Sequence, residues 1–101
     1  MTVLIFVDDA DDVAAYPAEN LLSMTCATNA TLLLHFKSSV GTHTTGTDLI
    51  TLTITADTEK KVIRSIASKL SQGLSSIVIA DDVSTEYVSS YITACAITLD
   101  T

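Results

Sequence analysis

The sequence predicts an α+β domain, mainly β, built on a curled antiparallel sheet or small barrel with one amphipathic helix. Three observations support this class. Residues 48–55, DLITLTIT, alternate apolar residues with threonine at the period of a half-buried strand. Residues 58–72 carry apolar side chains at helical spacing. The chain has 101 residues, of which 48% are hydrophobic, so it can form one core and one domain.

The first strand is predicted at residues 2–7, a short apolar run that ends in a block of aspartates. The aspartate-rich residues 8–12 predict a loop, because aspartate favours turns. Residues 13–20 predict an irregular connection, because Pro17 cannot donate a hydrogen bond in a strand ladder.

Two segments rich in apolar residues and threonine, residues 21–27 and 31–37, predict a hairpin that turns at residues 28–30. Residues 38–47 contain two of the three glycines and predict a loop. The alternating strand at residues 48–55 follows this loop. These segments predict three consecutive antiparallel strands.

One helix is predicted at about residues 58–72 because its apolar residues form a single stripe: Val62, Ile63, Ile66, Ala67 and Leu70. Asp57 or Thr58 can cap its N-terminus. Two further strands are predicted after the helix, at residues 75–80 and 89–99, with a second aspartate block between them. The domain is therefore expected to contain about five or six strands.

The chain is acidic, but its charges are unevenly distributed. The net charge of −7 opposes general attraction to nucleic acid or to anionic membranes. Four of the five cations nevertheless belong to the predicted helix, and Lys60, Lys61 and Arg64 share the face opposite its apolar stripe. We call these three residues the basic strip. It is either a solvated helix face or a surface for phosphates or for the acidic loop of a neighbouring subunit.

Two apolar strands end in aspartate blocks, at residues 8–12 and at Asp81 and Asp82. The first block does not match a calcium-binding loop, because Ala10 and Val13 occupy positions that need an oxygen ligand and a glycine. One interpretation is that the aspartates form turns and protect strand edges by charge. The other is a subunit interface in which Asp81 and Asp82 contact the basic strip of the next copy.

The run His35-Phe36-Lys37 is, with the basic strip, the candidate nucleic-acid-binding site. A histidine, an aromatic ring and a lysine in a row can stack on and pair with a single-stranded base. The alternative is a strand end of mixed exposure.

No catalytic, metal or cofactor site is predicted. The chain has no GxGxxG, P-loop, HExxH, GxSxG or CxxC pattern, and His35 and His43 are isolated from other ligands. Cys26 and Cys95 lie in apolar segments and are predicted to be small core residues, with a disulfide between them as the alternative. We therefore expect a protein that is not an enzyme.

Five segments together resemble a family of small proteins that is abundant in ocean sequence data and attributed to marine cyanophages: YPAENLLSMTCATNATLLLHFKSS, DLITLTIT, EKKVIRSIASKL, IVIADDV and YITACAITLDT. That family is similar in fold to Sm-like proteins, whose strongly bent β-barrels assemble side by side into rings and commonly bind RNA. The resemblance implies a single Sm-like barrel domain over residues 1–101 and a ring of about five to seven copies. The Arg-Gly signature of Sm loops is missing, so no RNA-binding residue is carried over.

Two functions are expected on this basis. The first is a ring-forming Sm-like protein that binds single-stranded RNA or DNA in phage or host nucleic-acid processing. The second is a virion protein that decorates a shell and has no role in nucleic-acid binding. The sequence shows neither a signal peptide nor a membrane span, so the protein is expected in the cytoplasm of the infected host cell or in the virion.

Overall fold

The computed structural model describes residues 2–37 and 47–98. In these ranges the chain forms one α-helix, α1 (Glu59–Leu70), and eight strands: β1 (Val3–Asp9), β2 (Asp12–Pro17), β3 (Leu21–Thr28), β4 (Thr31–Lys37), β5 (Thr47–Ile54), β6 (Ser76–Asp81), β7 (Glu86–Tyr87) and β8 (Ile92–Thr98). The helix connects β5 to β6.

The strands form two open four-stranded sheets. Sheet A has the order β2-β1-β6-β7 and is mixed, because β1 and β6 run parallel. Sheet B has the order β3-β4-β5-β8 and is antiparallel throughout. The prediction of a mainly β protein with one helix is confirmed, but the predicted bent Sm-like barrel is wrong. The reason is that α1 carries the chain out of sheet B, after which β6 pairs with β1 in a different sheet.

Local predictions succeed where the residue pattern is strong. The helix, the β3–β4 hairpin and the alternating strand β5 are confirmed. The strand β2 was not predicted, because Pro17 argued against it. Pro17 is in fact the last residue of an edge strand, where the missing N–H leaves no ladder partner unsatisfied. Most of the loop predicted at 38–47 lies outside the described residues, and Thr47 already belongs to β5.

One hydrophobic core joins both sheets and the helix. In β4 and β5 every second side chain is buried, so Leu32 and Leu34 of β4 lie opposite Leu52 and Ile50 of β5. Val62 and Ile66 bring the apolar stripe of α1 into the same cluster. The confirmed helix is therefore held by this buried stripe, as its spacing predicts.

Three aromatic rings and one buried carboxylate fill the end of the core near the start of β5. The rings of Tyr16 and Phe36 stack with centroids 4.5 Å apart, and Phe6 meets Phe36 edge-on at 5.6 Å. The Tyr16 hydroxyl donates a buried hydrogen bond of 2.7 Å to Asp48 Oδ2. Burial, followed by this bond, raises the pKa of Tyr16 above its ordinary value.

Candidate functional site

The aspartates at the ends of β1 and β6 meet at one end of sheet A, because the two strands are parallel. Asp12, the first residue of β2, pairs with Asp9 and joins them. We call this cluster the acidic corner; its members are Asp8, Asp9, Asp12, Asp81 and Asp82. The backbone N–H of Asp82 donates to the Val7 carbonyl at 2.8 Å, which fixes the two strand ends together. Burial, and then the charge of Asp12, raises the pKa of Asp8, with smaller contributions from Asp82 and Asp9. The corner is therefore a cluster of mutually repelling carboxylates.

Asp82 caps the outer edge of β8. Its Oδ2 accepts a 3.1 Å hydrogen bond from the backbone N–H of Cys95, and its Oδ1 accepts a 2.8 Å bond from the Tyr87 hydroxyl. That hydroxyl also lies 3.2 Å from the Thr93 carbonyl oxygen, and the Cys95 thiol donates to the Val7 carbonyl at 3.3 Å. These contacts occupy backbone groups that an edge strand would otherwise expose. One aspartate at the end of β6 therefore fastens sheet A to sheet B.

Asp81 has a local role in the turn between β6 and β7. Its Oδ1 accepts hydrogen bonds from the backbone N–H groups of Val83 at 3.0 Å and Ser84 at 2.9 Å. The turn continues through Thr85, whose φ of 50° lies in the left-handed region. Both aspartates thus have intramolecular partners, and their contact with a second subunit stays a prediction.

The side chains beside the acidic corner remain protonated at neutral pH. Burial is the largest cause that raises the pKa of both Cys95 and Tyr87 to about 12, and Asp82 raises each further. A thiol with such a pKa contributes almost no thiolate nucleophile. Among residues 2–37 and 47–98, no group of three potential ligands is placed to hold a metal ion.

The run His35-Phe36-Lys37 is divided between the core and the surface. Phe36 is fully buried and stacked on Tyr16, so its ring is not available to a base in this conformation. His35 is half-buried, with Nε2 3.0 Å from the Thr25 hydroxyl. Lys37 is exposed at the end of β4. Because side chains alternate along a strand, the three residues cannot present one continuous face.

The basic strip lies on the exposed face of α1. Lys60, Lys61 and Arg64 are all exposed, and Nζ of Lys61 lies 5.3 Å from the centroid of the half-buried Tyr91 ring. This distance is within the range of a cation–π contact. The sequence did not single out Tyr91, because nothing in the chain order shows that it lies beside the helix.

The structure places the two halves of the predicted nucleic-acid site apart. Lys37 pairs with Thr47 at one end of the β4–β5 ladder, whereas α1 starts from the other end, where the Asp57 N–H donates to the Asn29 carbonyl at 2.8 Å. The ladder between these ends is about 20 Å long at the usual rise per residue. His35 and Lys37 therefore do not form a single site with the N-terminal turn of α1.

The strand β3 forms the second edge of sheet B, and within the described ranges no strand pairs with it on the side opposite β4. Met24 and Cys26 pair with the buried residues Leu34 and Leu32, so their side chains lie on the inner face of the sheet. Cys26 is nevertheless exposed, and Leu22 at the neighbouring bulge is 60% exposed. We call these three residues, Leu22, Met24 and Cys26, the β3 strip.

The prediction that Cys26 is a core residue is wrong, whereas Cys95 is buried as predicted. Both cysteines are free, and their strands lie on opposite edges of sheet B. Residues 20–36 contain no aspartate, glutamate, lysine or arginine, although the chain as a whole carries a net charge of −7. This uncharged run is the sequence signal that could have identified the β3 edge.

Comparison with known proteins found no matching family model, no matching curated protein and no matching solved structure. Within the described part of the chain, α1 has neither the length nor the apolar content to span a bilayer.

Proposed function

We propose that this protein is a non-enzymatic structural module that associates with a second copy of itself along β3. The observation that carries the proposal is the uncharged β3 edge, where Cys26 on the inner face and Leu22 at the bulge are exposed to solvent. An exposed edge strand presents unpaired N–H and C=O groups that another strand can satisfy.

A second copy fits this edge better than a charged partner. About a two-fold axis, β3 of one copy pairs with β3 of the other, so sheet B of each copy becomes half of one continuous sheet. Both β3 edges are then paired, and the assembly ends at two copies. Each copy carries a net charge of −7, so contact through most of the surface is opposed by repulsion. The uncharged residues 20–36 avoid this repulsion, and pairing shields Leu22 and Cys26 from water.

A small acidic β domain that pairs with itself suits a decoration or scaffold role. This is the second of the two functions expected from the sequence. The resemblance to cyanophage proteins supports a phage particle as the setting.

The association is tested by sedimentation equilibrium of the wild type and of Leu22→Lys, which places a charge on the β3 strip. We expect a concentration-dependent dimer for the wild type and a monomer for the variant. Val83→Lys is the matched control, because Val83 is 59% exposed but lies in the turn after β6. Val13→Lys, at a position that is 56% exposed, tests the β2 edge.

Two results would overturn the proposal. One is a wild type that stays monomeric over the whole concentration range. The other is a dimer that survives Leu22→Lys but dissociates in Val13→Lys, which would assign the interface to β2.

A second candidate function is the binding of single-stranded nucleic acid by the basic strip. The observation that favours it is the exposed group of three cations with Tyr91 beneath Lys61. Binding that weakens steeply with salt, and is lost when Lys60, Lys61 and Arg64 are changed to glutamate, would support this function. Binding of labelled RNA and DNA oligonucleotides that is unaffected by these changes would exclude the strip as the site.

A further inference from the structure

A groove of about 340 Å³ opens beside β6, far along the chain from the β3 edge. Its lining comes from the last turn of α1, the start of β6 and the segment around β7: Lys69, Leu74, Ser76, Ile77, Val78, Glu86, Tyr87 and Val88. Leu74 is 39% exposed, so the groove offers apolar surface to solvent.

The floor of the groove is an unpaired stretch of strand edge. Among the described residues, β7 pairs with Ala80 and Asp81, and one further bond runs from the Val88 N–H to the Ile79 carbonyl at 3.0 Å. Beyond Val88 the described chain no longer follows β6. The groove therefore occupies the line along which a longer β7 would continue.

The register of β1 and β6 identifies the backbone groups that face the groove. The Val3 N–H donates to the Ser75 carbonyl at 3.1 Å, and Val3 pairs with Ser76. In a parallel ladder this arrangement turns the backbone groups of Ile77 toward β1 and those of Ser76 and Val78 away from it. Among the described residues, no backbone partner lies on that outer side of Ser76 and Val78.

We propose that this groove binds an extended peptide of a partner protein, which continues the line of β7 and runs antiparallel to β6. The peptide backbone would pair with the N–H and C=O groups of Ser76 and Val78, as in other cases of strand addition. An apolar side chain of the peptide would pack against Leu74 and Val88.

The two charged residues of the groove give the peptide a preferred polarity. An antiparallel peptide enters beside Val88 and β7, where Glu86 lies, and leaves beside Ser76, where the C-terminal turn of α1 places Lys69. A basic residue at the start of the peptide and an acidic residue or carboxylate at its end match these charges. The partner segment is therefore basic, then apolar and β-forming, then acidic.

The test is a titration of the ¹⁵N-labelled full chain with the capped peptide Lys-Val-Thr-Val-Asp, followed by amide chemical shifts. We expect shifts at Ser76, Val78 and Val88, and binding that is about fivefold weaker for the reversed peptide Asp-Val-Thr-Val-Lys. A peptide N-methylated on every residue should not bind, because it lacks all the backbone donors that strand pairing needs.

The variant Lys69→Glu with Glu86→Lys should invert the preference between the two peptides. Lys60→Glu, on the same helix but outside the groove, should leave both affinities unchanged. An unchanged preference between the two peptides in the double variant, or amide shifts confined to β3, would overturn the assignment to this groove. Because self-association along β3 is measured by sedimentation, the failure of one proposal does not affect the other.

Discussion

The two edges of sheet B differ in how far they are covered. At β8, the Asp82 carboxylate accepts the Cys95 N–H, and the Tyr87 hydroxyl lies against the Thr93 carbonyl. At β3, the described chain provides no strand opposite β4, and Leu22 and Cys26 are exposed. One edge is therefore closed within the molecule, and the other is open to a second molecule.

This difference explains why the buried strand β6 is followed by the negatively charged Asp82. The carboxylate of Asp82 substitutes for the missing neighbour of β8 and ties the two sheets together, which a neutral apolar residue could not do. The same charge discourages pairing of β8 with a foreign strand. The strand β3 has no acidic side chain of its own, because residues 20–36 contain neither aspartate nor glutamate.

The largest expected contrast between the two edges is in thiol reactivity. Cys26 is exposed, whereas Cys95 is buried and the raised pKa of its thiol, about 12, leaves little thiolate. With a maleimide at pH 7.5 (about one unit below the ordinary thiol pKa), and at a protein concentration low enough to keep the chain monomeric, we expect Cys26 to react at least ~1,000-fold faster than Cys95. The Cys95 thiol can react only when the core opens. The measurement is mass spectrometry of the labelled chain over time.

Cys26→Ser serves as the control for this labelling, because it should remove the fast phase and leave the slow one. Comparable rates for the two thiols would mean that the β8 edge opens locally, and that the contrast between the edges is much smaller than the static contacts indicate.

The next largest effect is expected from Asp82→Ala, which removes the cap on β8. The Cys95 N–H and the Tyr87 hydroxyl then lose their common acceptor, so the free energy of unfolding should fall by about 1–3 kcal/mol. Urea denaturation measures this loss. Asp11→Ala is the control, because Asp11 is an exposed acid in the turn between β1 and β2. Equal stabilities for the two variants would contradict the capping role.

The local elements of this fold could be predicted from the sequence, because they depend on patterns within one segment. The alternation of β5 and the apolar stripe of α1 are both present in the printed residues. The same period of two, applied to Leu32, Leu34 and Phe36, would have placed Phe36 in the core. The prediction of Phe36 as a stacking residue instead relied on its neighbours His35 and Lys37.

The division into two sheets could not be predicted in this way. It depends on the pairing of Val3 with Ser76, residues far apart in the chain and with no shared pattern. The exposure of Cys26 depends on how much of sheet B is covered, which is also a property of the whole fold. The β3 strip and the groove beside β6 follow from these long-range pairings, whereas the basic strip and the aspartate blocks are visible in the sequence.

The smallest expected effect is on stability at the acidic corner, where Asp82 lies among other carboxylates. The pKa of Asp8 is raised from its ordinary value of 3.8 by burial and by Asp12. The folded state therefore binds more protons than the unfolded state in the pH range just above that value, and the charged form of Asp8 lowers stability at neutral pH. Asp8→Asn should raise the midpoint of thermal unfolding slightly at pH 7, and this gain should vanish as the pH falls below 3.8. A gain for Asp8→Asn that persists in acid would mean that packing, not charge, is its cause.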